Sequence, residues 1–233
     1  MTESNAPATI AQPAEADPVG AAAAAHGEEI AAPPDVEDVT WQAGSPDQRR
    51  ELILQTALSL LRDAGPDAVT MRGIAQHLGV GAMTLYTYVE SADALHRDMI
   101  RRGFQTLHQA CCDGGHAKPD AGDYWRGGAE VYLDFARRHP NLYRLMFESP
   151  LPESDHDLLE AGFSGLLMVV NQRLADTGVT EPELSRRTRI EAGRYWIALH
   201  GLAMILIADR TSVLQGTPDD VLTDLLEHAA PRC

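Results

Sequence analysis

Residues 70–95 read TMRGIAQHLGVGAMTLYTYVESADAL. The stretch holds two short helical runs joined by a tight turn. Thr70 is an N-cap residue, and Ile74, Ala75 and Leu78 follow at helical spacing. The first run stops at Gly79-Val80-Gly81, where Gly79 supplies the positive φ that lets a second helix cross the first steeply. That second helix is expected over residues 82–88, with Val80 and Leu85 turned inward, and Ser91 caps the next one. This is the pattern of a helix-turn-helix, in which the second helix enters the major groove of DNA and the first crosses the backbone.

Outward from this stretch the punctuation stays helical, and no alternating strand pattern appears. Upstream, Ser45-Pro46-Asp47-Gln48 combines an N-cap, a proline at the first helical position and a capping-box Gln. Ile53, Ala57, Leu60 and Leu61 then form an apolar stripe that ends at Gly65-Pro66. Downstream, the helix opened by Ser91 carries Leu95, Met99 and Leu107 and is expected to end near Gly114-Gly115. A helix over residues 123–139 places Tyr124, Gly128, Val131, Tyr132 and Phe135 on one face, and Pro140 breaks it. Residues 141–147 form a short helix, and residues 155–177 a long one with Leu159, Phe163, Leu166, Leu167, Val170 and Leu174 at helical spacing. Thr180-Glu181-Pro182-Glu183 reads as a capping box before a long apolar helix, and Thr217-Pro218 opens the last. The expected fold is all-α with about nine helices: a three-helix helix-turn-helix bundle, a linking helix and a C-terminal helical domain.

The charge is unevenly placed. The chain has 233 residues and a net charge of -15. Residues 1–44 hold eight acidic residues and no Lys or Arg, residues 45–102 hold seven of each sign, and residues 103–233 hold nineteen acidic and twelve basic. The reading segment is therefore neutral, which permits local phosphate contacts but argues against strong non-specific affinity. Residues 1–44 are rich in Ala, Pro and Glu without an apolar period and read as a disordered tail. Three domains follow: 1–44 the tail, 45–102 the DNA-binding unit, 103–233 the ligand and dimerisation unit. Three cysteines, two of them adjacent at Cys111 and Cys112, give no disulfide framework and suit a reducing compartment. No basic, apolar leader opens the chain. The most apolar run, residues 195–208, is shorter than the roughly 20 residues of a membrane span. A soluble, cytoplasmic protein without a membrane partner is expected.

Residues 49–99, and above all Ile74-Ala75-Gln76-His77-Leu78-Gly79-Val80 followed by Thr84-Leu85-Tyr86 and Val89, resemble the DNA-binding domain of TetR-family regulators. The resemblance implies contacts to double-stranded DNA from Arg72 at the start of the second helix. It also implies a reading face of Ala82, Met83, Thr84, Tyr86, Thr87 and Tyr88. Ala82 and Met83 suit thymine methyls, and Thr84 and Thr87 suit base or phosphate. Tyr86 and Tyr88 would fix the backbone, and Arg49 and Arg50 would neutralise phosphates. Two departures stand out. The family's usual Lys at the start of the fourth helix is Ala92 here, and the recognition helix lacks Arg, Lys, Asn and Gln. Modest affinity is expected, with specificity leaning on Arg72, methyl contacts and DNA shape.

Trp196 and His200-Gly201, spaced W-x-x-x-H-G, and residues 135–147 resemble a TetR-like C-terminal domain named for a Trp-His-Gly motif. Trp196 and His200 lie one turn apart on a shared face, and a packing role for His200 is favoured over a ligand role. A pocket for a small-molecule effector would be lined by Phe104, Tyr132, Phe135, Tyr143, Met146, Phe147, Phe163, Met168, Trp196 and His200. The resemblance implies a homodimer through the last two long helices. It also implies a ligand that moves the fourth helix and so changes the spacing of two recognition helices.

Two other readings fare worse. His108, Cys111, Cys112 and His116 are close enough to suggest a metal sensor, but Cys111 points away from the face His108 and Cys112 share, so no metal is expected. No nucleophile elbow, Gly-rich phosphate loop or clustered acid–base pair appears, so neither an enzyme nor a bound cofactor is expected. A helical interaction protein that has lost operator binding remains the alternative, favoured by Ala92 and the neutral reading segment.

Overall fold

A computed structural model describes residues 41–116, 121–150 and 156–228. The described residues form nine α-helices and no strand: α1 Pro46–Ala64, α2 Met71–Leu78, α3 Ala82–Leu85, α4 Ala92–His116, α5 Ala121–Arg138, α6 Pro140–Glu148, α7 His156–Asp176, α8 Glu183–Ile207 and α9 Pro218–His228. The fold is all-α, as the sequence implies. Residues 1–40 of the expected tail lie outside the described residues, whereas residues 41–43 form a turn against α1.

The N-terminal helices form where local signals place them. The Ser45 hydroxyl accepts from the Gln48 amide at 3.3 Å, and the Gln48 side chain accepts from the Ser45 amide at 2.8 Å, which closes the capping box of α1. Ile53, Ala57 and Leu61 are buried below it. The Thr70 hydroxyl caps α2 by accepting from the Gly73 amide at 3.0 Å. Gly79 ends α2 at φ 68°, and the Val80 amide reaches back to the Ala75 carbonyl at 2.9 Å. That pairing is a Schellman stop, and it turns the chain sharply into α3.

Helix α3 is shorter than expected, four residues instead of seven. After Leu85 the amides of Thr87 and Tyr88 bond carbonyls three residues back, at 3.2 and 2.9 Å, so the backbone tightens into a turn. The tightening brings Val89 back under the bundle beside the fully buried Leu85.

Helix α4 ties the two ends of the molecule together. Its first turns carry Leu95 and Met99 under α1–α3, and its later turns carry Phe104 and Leu107 into the C-terminal bundle. Arg102 forks onto both Glu51 carboxylate oxygens at 2.8 Å each, and Arg50 reaches Asp98 at 2.8 Å, so ion pairs clip α1 to α4. Gly103 sits so close to α6 that a Cβ there would fall 2.5 Å from the Met146 sulfur.

In the bundle, α4 packs on α5, α6 and α7, while α8 packs on α5, α7 and α9. Helix α8 begins at Glu183, with no side-chain cap from Thr180. The Glu181 carboxylate does the capping, accepting from the Ser185 amide at 3.3 Å and hydroxyl at 2.6 Å. By length and composition α8 is long and apolar enough to cross a membrane. Here it buries Ala192, Tyr195, Leu199, Leu202 and Ala203 within the bundle.

Candidate nucleic-acid interface and inner cavity

The α2–α3 end presents a small exposed face. Met83 is 79% exposed and Tyr86 45%, although both are large apolar groups. Arg72, Thr84 and Thr87 are exposed beside them, and Ala82 is half-buried. Arg72 makes no ion pair or hydrogen bond among the described residues, so its five donors are open to an external acceptor.

Arg49 and Tyr88 are placed differently from expectation. The Arg49 guanidinium donates to the Tyr88 hydroxyl at 2.6 Å, to the Trp41 carbonyl at 3.0 Å and to the Gln42 carbonyl at 3.3 Å. It also lies over the Trp41 and Tyr88 rings, 5.7 and 5.6 Å from their centroids. Trp41 meets Tyr88 edge-on at 5.3 Å. This clasp is internal: it engages three of the five N–H donors of Arg49 and half-buries Tyr88, which ties both to the body of the reader. Arg50 stays exposed, but its hydrogen bond and charge pairing with Asp98 push its guanidinium still higher than usual.

The second feature is a cavity of about 520 Å³ inside the C-terminal bundle, between α4, α5, α7 and α8. Of the ten residues expected around a pocket, the structure brings Phe104, Tyr132, Phe147, Phe163 and Trp196 together on its wall. The other five lie elsewhere. Phe135 packs on His139 with ring centres 5.2 Å apart, and Met146 is buried where α6 meets α4. Met168 points outward at 70% exposure. Tyr143 and His200 stand behind the wall, where they serve packing.

His200 lies in a stack of rings. It is 5.2 Å from Trp196 and 5.6 Å from Tyr143, nearly parallel to both, with Phe147 edge-on at 4.9 Å. Its Nδ1 is 2.7 Å from the Tyr143 hydroxyl, which is 2.7 Å from the Tyr132 hydroxyl. Burial lowers the His200 pKa from 6.5, so the ring is neutral at neutral pH and suits this uncharged chain of bonds. Burial also pushes both tyrosine hydroxyls well above their ordinary range.

The sequence reading missed Leu107, His108, Trp125 and Tyr195 as wall residues. Tyr195 donates from its hydroxyl to the Trp125 carbonyl at 3.0 Å, with the two rings edge-on at 5.2 Å. Trp125 was available to pattern analysis: it lies one turn before Ala129 and two before Tyr132, on a face broader than the one read. Cys111 and Cys112 also line the cavity, where burial pushes the Cys111 thiol up to about 12 and raises that of Cys112. Cys112 Sγ lies 3.8 Å from His108 Nε2, and no cluster of three or more metal-ligating side chains occurs among the described residues. His116 belongs to α4, but its side chain lies outside the described residues.

An all-helical chain with an exposed helix-turn-helix at one end and a hollow bundle at the other has the architecture of a one-component DNA-binding regulator. Residues 53–99 match the profile of bacterial regulatory proteins of the tetR family, and residues 125–229 match that of the tetracycline repressor-like C-terminal domain. The chain belongs to the TetR family of transcription regulators, which are not enzymes. Among curated relatives, it is 27% identical to an uncharacterized HTH-type transcriptional regulator of Mycobacterium tuberculosis, over 75% of this chain and 74% of that one. It is 33% identical to the tetracycline repressor protein class C of Escherichia coli over 78 residues, 34% of this chain and 33% of the repressor. Among solved structures, a Rhodococcus protein of unknown function superposes with TM-score 0.64 at 21% identity, over 80% of this chain and 94% of that one. A TetR family transcription regulator from Marinobacter aquaeolei gives 0.58 at 18% identity, covering 80% and 97%.

Proposed function

We propose that the protein is a cytoplasmic repressor that binds a palindromic operator as a homodimer and is released by a small molecule occupying the inner cavity. The observation that carries this reading is the dual use of α4, which underlies the reading helices at one end and supplies Phe104, Leu107, His108, Cys111 and Cys112 to the cavity wall at the other. A ligand that displaces α4 shifts the helices clipped to it. Met168 on α7 and Ile190 and Ile197 on α8 are exposed apolar residues, which supports burial of these helices against a second copy. The repressor named among the relatives supports repression as the direction of control. Base readout falls to Arg72, Met83, Thr84, Tyr86 and Thr87, with Ala82 at the margin and Arg50 toward phosphate.

The test is a mobility-shift titration of DNA flanking the protein's own gene, at two salt concentrations with non-specific competitor. A competitor-resistant, salt-sensitive complex is expected. It should weaken by at least about thirtyfold in Arg72→Ala/Tyr86→Ala, two contacts of roughly 1–3 kcal/mol each, with the melting temperature unchanged. A second reading, a helical interaction protein without operator binding, draws on Ala92 and the absence of any basic residue in α3. It prevails if neither flanking DNA nor a selection from random DNA yields a complex.

A further inference from the structure

The cavity has a chemical character that narrows what can occupy it. Its described wall contains no Lys, Arg, Asp or Glu. A carboxylate or ammonium entering it would shed water and meet no counter-charge, which is strongly unfavourable in an apolar site. The thiols do not supply one, because burial keeps Cys111 and Cys112 protonated. The tyrosine hydroxyls nearby are already engaged: Tyr132 with Tyr143 at 2.7 Å, and Tyr195 with the Trp125 carbonyl at 3.0 Å. Ring nitrogens on the wall belong to Trp125, Trp196 and His108. The indoles can only donate, whereas the His108 imidazole has two nitrogens, of which Nε2 lies 3.8 Å from Cys112 Sγ and Nδ1 has no hydrogen-bond partner among the described residues. The imidazole lies close to α7 at Gly165, where a Cβ would collide with the ring.

The walls are aromatic and arranged in pairs. Trp125 and Tyr195 meet edge-on at 5.2 Å, and Phe163 and Trp196 at 6.0 Å. Aromatic faces and edges on the wall favour a flat π-system packed against them. We infer that the cavity takes an uncharged, largely aromatic effector whose single polar group hydrogen-bonds to His108. The inference rests on the reading of the cavity as the effector site, and it specifies which molecules can fill that site.

Three naphthalene probes of one shape test it by calorimetry on the full-length protein: naphthalene-2-carboxamide, 2-naphthoate and 2-naphthylmethylammonium. The neutral amide is expected to bind at least about tenfold more tightly than either ion. A Cβ on Gly193, which lines the cavity, meets nothing within 4 Å, so the Leu of Gly193→Leu grows into the open space and should abolish amide binding. His108→Phe keeps a ring but loses the nitrogens; it should weaken the amide about fivefold and leave unsubstituted naphthalene unchanged. An ion binding as tightly as the amide, amide binding that survives Gly193→Leu in a folded protein, or no binding by any probe up to its solubility would each overturn the inference. The same probes are added to the operator complex. Amide binding that leaves DNA affinity unchanged would refute release by ligand while leaving the chemistry of the cavity intact.

Discussion

The helix-turn-helix end and the C-terminal bundle are built from the same element, yet they are held together differently. The first is tightly filled and locally specified: a capping box opens α1, a Thr hydroxyl caps α2, and a left-handed glycine stops it. Leu85, Ile53 and Ile74 are almost wholly buried there, and ion pairs clip α1 to α4. The bundle holds about 520 Å³ of unfilled space that opens toward its surface, and stacked rings with a Tyr132–Tyr143–His200 hydrogen-bonded chain stand behind its wall. A close-packed reader moves as a body, whereas a hollow bundle can adjust its walls around a guest. On the proposed function, the difference gives rigidity to the part that would match a groove and adaptability to the part that would respond.

The comparison can be broken most severely at Leu85. Leu85→Ala removes a fully buried side chain from a packed site and should cost about 2–5 kcal/mol, with operator binding lost at room temperature. Calorimetric unfolding checks it; a loss below about 1 kcal/mol would mean that the reader is looser than its packing indicates. A smaller effect is expected at Tyr143→Phe, which leaves His200 Nδ1 and the Tyr132 hydroxyl without their shared partner and should cost about 1–3 kcal/mol. Denaturant unfolding measures this cost, and operator affinity of the folded fraction should be unchanged.

The smallest effect sharpens the contrast through pH. Burial lowers the pKa of both His200 and His139 below 6.5, so between the folded and unfolded values the unfolded chain binds more protons. Stability from these residues is complete above about pH 6.5 and is lost as pH falls through the folded values. The melting temperature should therefore decline from pH 7 toward pH 5, less steeply in His200→Gln. Equal slopes would show that His200 does not contribute.

The sequence made the reader legible because its signals are local. Thr70, Gly79 and Ser91 each act within a few residues, so their pattern survives without tertiary knowledge. The length of α3 was not legible, since tightening after Leu85 depends on Val89 finding the core. Nor was the clasp, because no local pattern links Trp41, Arg49 and Tyr88. In the bundle, periodicity separates inside from outside on one face, but α5 packs on α4, α6 and α8, and the apolar face is too broad to phase. Trp125 was passed over for that reason. Met168 was misplaced because α7 is apolar on more than one side, leaving a large hydrophobic residue exposed at 70%. Whether a buried ring faces a cavity or solid core is set by neighbours from other helices, and spacing within one helix does not encode it.

The contact of Gly103 with Met146 gives α4 a mechanical character. Pressed onto α6 at that point, the helix would act as a lever with its fulcrum there if it pivots when a guest enters. Leu95 lies eight residues to one side and Cys112 nine to the other, arms of about 12 and 14 Å at 1.5 Å per residue. Nearly equal arms would transmit a displacement without magnifying it, so on the proposed function a guest that pushed the cavity end by about 1 Å would move the reader end by about the same distance in the opposite sense. Any gain must come from beyond the lever tip, where α3 projects from the rigid reader. If the proposed switch works through this contact, Met146→Ala, which loosens it without touching either site, should uncouple ligand binding from operator release.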